Sequence, residues 1–98
     1  MRKIVPKRKE YSKSRYSPDD FEQGQRVRLK IEYSQRYGTV FRKGTVINPS
    51  AQEDLTRAFA NPRNVVLELR VEETFKGRPR RMPRKYDYFR IQNAWLLD

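Results

Sequence analysis

The side chains with the most pointed chemistry are arginines. Arg78, Arg80, Arg81, Arg84 and Arg90, with Lys76 and Lys85 among them, fall inside residues 76–90 against a single acid, Asp87. A guanidinium carries a planar fork of N–H donors that meets phosphate oxygens two at a time. Tyr86 and Tyr88 stand beside this run at alternate positions with Arg90. On a strand the three would share one face, and such planar groups stack on unpaired bases. Ordinary cross-strand packing is the other use for both rings. A second block, Arg2, Lys3, Lys7, Arg8, Lys9, Lys13 and Arg15, lies in residues 1–16 against Glu10 alone. Each block nets +6, residues 17–75 hold nine bases and nine acids, and Asp98 brings the chain to +11. Like charges repel one another in a compact state, so the expectation is a polyanionic partner, RNA or DNA, gripped by both blocks. The alternative is a protein-interaction module or small regulator that docks on an acidic surface of a transcription, replication or ribosomal machine.

Other chemistry has little to work with. There is no His and no Cys, which removes Cys-His and Ser-His-Asp catalysis and the commonest zinc ligands. The four glycines are too scattered for a phosphate-binding loop. Pro18-Asp19 with Glu68-Leu69-Arg70 resembles a metal-dependent nuclease pattern whose final lysine has become arginine. Asp19 equally suits a turn, and Glu68 the outward position of a strand. The chain is therefore expected to be no enzyme and to need no metal or cofactor. Apolar runs are too short to span a membrane, and the basic start lacks the apolar stretch of a secretory signal. Absence of Cys fits a reducing compartment, so a cytoplasmic location is expected.

These groups need a scaffold, and at 98 residues one domain is expected. Residues 1–20 show no apolar period and contain Pro6 and Pro18, which reads as a flexible basic arm. Pro18-Asp19-Asp20 suits a turn that opens the folded part, 21–98, with Phe21 as its first buried side chain. Val27, Leu29, Ile31 and Tyr33 alternate with Arg26, Arg28, Lys30 and Glu32, the period of a half-buried antiparallel strand. Those bases extend the positive surface or pair with Glu32, Glu68 and Glu72. Residues 37–41 and 44–47 read as two more strands, with Arg42-Lys43-Gly44 as the turn between them. Ser50 and Glu53 form a capping box ahead of Leu55, Ala58 and Phe59, which predicts a short helix ended by Asn61-Pro62. Val65, Leu67, Leu69 and Val71 alternate in a further strand whose open edge could accept a partner strand. Gly77, Pro79 and Pro83 mark 74–85 as a basic loop. Residues 86–91 return as a strand with Phe89 and Ile91 inward, and Ala94-Trp95-Leu96-Leu97 supplies closing apolar anchors.

Short strands, one helix and glycine turns indicate a mainly β fold, a small barrel of five or six strands. A helix between the third and fourth strands suits an OB-fold. Residues 21–47, however, resemble the KOW-type segment of SH3-like domains. Gly24-Gln25-Arg26-Val27-Arg28-Leu29 places a glycine before an alternating strand, and Gly38-Thr39-Val40 supplies the Gly-x-Val that follows. Glu32-Tyr33-Ser34-Gln35 departs from the family's glycine and lysine-glycine in the middle. The resemblance implies an SH3-like barrel with one inserted helix that binds nucleic acid or docks on protein; the OB-fold is the alternative.

Overall fold

Arg26, Arg28 and Lys30 take the outer face of a strand while Val27, Leu29 and Ile31 are fully buried beneath it, as a period of two requires. The computed structural model describes residues 1–6, 15–34, 36–54, 56 and 63–97. It is mainly β, with strands β1 (Arg2–Ile4), β2 (Arg26–Ser34), β3 (Gly38–Gln52), β4 (Val65–Phe75), β5 (Arg78–Asp87) and β6 (Ile91–Leu96). All belong to one antiparallel sheet in the order β1-β6-β2-β3-β4-β5. β2 to β5 form a meander, the 3-10 turn Tyr88–Arg90 follows, and β6 returns to pair with β2.

The fifteen residues of β3 explain how a single sheet encloses a core. Its first half, up to Thr45, pairs with β2, and its second half, from Gly44 onward, pairs with β4. The expected turn at 42–44 is therefore a bend in one continuous strand. Gly44 sits where the two pairings overlap, and a Cβ there would lie 2.2 Å from the Arg70 carbonyl oxygen. A side chain at 44 would force β3 and β4 apart. The bend folds Val27, Leu29 and Ile31 over Val46, Leu67, Leu69 and Val71, with Phe21, Tyr86, Ile91 and Ala94 completing the core. Burying each large aliphatic side chain contributes roughly 1.5–3 kcal/mol.

Three further expectations change. Ser50, read as a helix cap, lies in β3 with Ala51 and Gln52, and its N–H bonds to the Asn48 side chain at 2.9 Å. Register shifts around Asn48 let this end of β3 follow β4; Leu55, Ala58 and Phe59 lie outside the described residues. The basic loop 74–85 is instead a hairpin. Lys76 and Gly77 both take positive φ, at 50° and 75°, the primed two-residue turn that suits twisted strands. Pro79 and Pro83 are tolerated because β5 is an edge strand, where a missing N–H costs no ladder bond. Finally β4, taken as an open edge, is flanked by β3 and β5.

The N-terminal segment is part of the sheet. Arg2, Lys3 and Ile4 pair with Leu96, Trp95 and Ala94. Tyr16 is buried, and its hydroxyl donates to the Ile4 carbonyl at 2.7 Å and accepts the Ala94 N–H at 3.1 Å. The 3-10 turn Pro18–Asp20 follows, closed by the Asp20 carboxylate accepting the Ser17 N–H at 2.8 Å. Residues 7–14 of the expected arm lie outside the described residues.

Candidate nucleic-acid interface

The described strand residues of the two basic blocks lie on different strands. Arg2 and Lys3 are exposed on β1, at one edge of the sheet, and Arg15, which precedes the buried Tyr16, is exposed as well. Lys7, Arg8, Lys9 and Lys13 lie outside the described residues. Arg78, Arg80, Arg81, Arg84 and Lys85 are exposed along β5, the other edge, with Lys76 in the hairpin turn. The β4 ladder sets acids against some of these bases: Glu68 opposite Lys85, Glu72 opposite Arg81, Glu73 opposite Arg80. Arg78 and Arg84 instead face Phe75 and Leu69, so no acid tempers them across the strand.

Tyr86 and Tyr88 do not offer their rings. Tyr86 is 5% exposed and belongs to the core, where burial pushes its hydroxyl up to about 12 despite the nearby Arg42 guanidinium. At Tyr88 the strand has passed into a 3-10 turn, so the alternation that put both rings on one open face is broken. The Tyr88 ring packs 6.0 Å from Phe21, and its hydroxyl donates to the Pro49 carbonyl. Burial, and then the charge of Asp20, raise its pKa. Phe89, expected inward, is 64% exposed for the same reason. Arg90 is held in place by Asp87 at 3.7 Å and by the carbonyls of Tyr33 and Glu32, which ties the 3-10 turn to the end of β2.

A different pair of rings stands beside the basic edge. The end of β2 and the turn after it bring Tyr33 and Tyr37 against Arg84, Lys85, Tyr86 and Arg90, around a cleft of about 340 Å³. Tyr37 is 71% exposed, and the Arg36 guanidinium lies 5.7 Å from its ring centroid. Tyr33, expected inward, has turned half out beyond the register shift at Glu32 and Ser34. Nothing in the sequence joined Tyr33 and Tyr37 to the arginines some fifty residues away, because the sheet's curl makes that contact. With Asp87 tied to Arg90 and Asn64, the cleft offers aromatic walls and cationic groups. That combination suits a planar ring attached to an anionic group.

Among the described residues no cluster of three metal-ligating side chains occurs and no helix is long and apolar enough to cross a membrane. No family model, curated protein or solved structure matches the chain.

Proposed function

We propose that this chain is a non-enzymatic nucleic-acid-binding module of the cytoplasm, built on an SH3-like barrel. The β2–β5 meander and the return of β6 to β2 support the SH3-like reading. The observation that carries the function is the cleft in which Tyr33 and Tyr37 meet Arg84, Lys85 and Arg90. Phosphates run along the β5 edge, where Arg78 and Arg84 have no described carboxylate partner, and a base enters between the tyrosines. Arginine favours phosphate here because its fork is rigid and always charged.

The test is fluorescence anisotropy with a labelled fifteen-nucleotide single strand at about 50 mM salt. The wild type should bind, and Arg78→Ala with Arg84→Ala should weaken binding to every sequence alike, since phosphate contacts carry no sequence information. Tyr37→Ala should cost about 1–3 kcal/mol on the single strand and little on duplex. Absence of binding to RNA and DNA at this salt would overturn the reading in favour of docking on an acidic protein.

A further inference from the structure

Further along β2 and β3 from the cleft, the outer face of β6, β2 and β3 carries a second aromatic and cationic group. Trp95 of β6 and Lys43 of β3 are both register partners of Arg28 on β2, and Lys3 of β1 is the partner of Trp95. Phe41 sits two residues before Lys43 and therefore on the same face. The Arg28 guanidinium lies 4.4 Å from the Phe41 ring centroid and 5.8 Å from that of Trp95, and the two rings are 6.3 Å apart.

Phe41 is 47% exposed although the inner face of the same strand has buried positions nearby. The cation over it is half-buried. Arg26, one step along β2, is satisfied by Glu72 through two bonds of 3.1 and 3.2 Å. Arg28 makes no ion pair with any described carboxylate. Stacking holds its plane while leaving N–H donors for an anion. Lys3 and Lys43 extend the positive charge along the same cross-strand row, and Lys30, the register partner of Phe41, adds to it.

We propose that this face is a second nucleotide site for single-stranded nucleic acid, with a base stacked on Phe41 and Trp95 and its phosphate on Arg28. The inference rests on the nucleic-acid reading above and adds that the strand is unpaired and passes over the sheet as well as its β5 edge. An unpaired strand is favoured over duplex because a base inside a helix has no free face to give the rings. It is favoured over an acidic protein because carboxylates would engage the four cations and leave the rings without a planar partner.

Trp95 is the chain's one tryptophan, so its emission reports on this site alone. The probe is a labelled ten-nucleotide oligothymidylate, followed by anisotropy and by tryptophan fluorescence, with a duplex of equal length as control. Tryptophan emission should be quenched on binding of the single strand, and quenching should persist in the Arg78→Ala, Arg84→Ala variant at higher oligonucleotide concentration. Phe41→Ala should weaken single-strand binding roughly 5- to 150-fold and duplex binding less than about twofold. Arg28→Lys, which keeps the charge but not the plane, should weaken it too, and circular dichroism checks that each variant is folded. Anisotropy that reports binding while Trp95 emission stays constant and Phe41→Ala has no effect would overturn this site and leave the proposed function standing. No binding by either probe would overturn both.

Discussion

One oxygen ties the N-terminal segment to the fold. The Tyr16 hydroxyl serves β1 through Ile4 and β6 through Ala94. Tyr16→Phe keeps the ring in the core but leaves the buried Ala94 N–H without its acceptor. It should lower unfolding free energy by about 1–3 kcal/mol in urea titrations; an unchanged midpoint would mean that β1 is not fastened there. Tyr86 and Tyr88 carry a pH dependence of definite sign. Their folded pKa values are raised chiefly by burial, Tyr86 to about 12, whereas an unfolded tyrosine ionises near about 10. The unfolded chain therefore releases protons first, so stability is full below about pH 10 and falls as pH climbs toward 12. Tyr86→Phe should flatten that fall between about pH 10 and 12 in urea midpoints. Sequence alternation made Val27, Leu29 and Ile31 legible as core. It could not assign Tyr16, whose partner Ala94 is 78 residues away.

At the scale of elements, the regular strands were legible and the bends were not. A glycine between two apolar stretches reads as a turn when only neighbours along the chain are considered. Gly44 instead marks where β3 changes partners, a fact that depends on Arg70 in another strand. Gly44→Ala has only backbone to push against on the Arg70 side, so it should cost about 1–3 kcal/mol or more, read as a lower thermal midpoint. Retained stability would mean that β3 can bend elsewhere. The β4–β5 hairpin was hidden by Pro79 and Pro83, which argue against a central strand but not against an edge. Its turn was written in Lys76-Gly77, though lysine rarely takes positive φ. The Ser50 capping pattern was overridden because β3 continues past it and Ala51 and Gln52 pair with Val66 and Val65 of β4.

For the whole molecule, the sequence located the charge but not its local balance. The described bases of the two blocks that lie on strands, Arg2 and Lys3 on β1 and the arginines of β5, are on opposite edges of the sheet, roughly 24 Å apart measured along it at the usual strand spacing. On β5 three of the bases stand across from Glu68, Glu72 and Glu73, so the field there is smaller than the block's sum implies. Arg28, Phe41 and Trp95 were each visible in the sequence, but as a strand's polar residue and two apolar ones. Only the register of three strands joins them. An unpaired strand that contacts β5 and crosses the outer face would neutralise about four to six phosphates. For single strands that gives a slope of log K against log salt of about −3 to −4. Anisotropy with a fifteen-nucleotide single strand across about 50–200 mM salt measures it. Arg78→Ala, Arg80→Ala and Arg84→Ala together should bring the slope about two units closer to zero, because each lost phosphate contact contributes about 0.7. Phe41→Ala should instead reduce affinity by a similar factor at every salt concentration, since stacking releases no counterions. Tight binding with a flat salt response in the wild type would rule out phosphate contacts as the source of affinity.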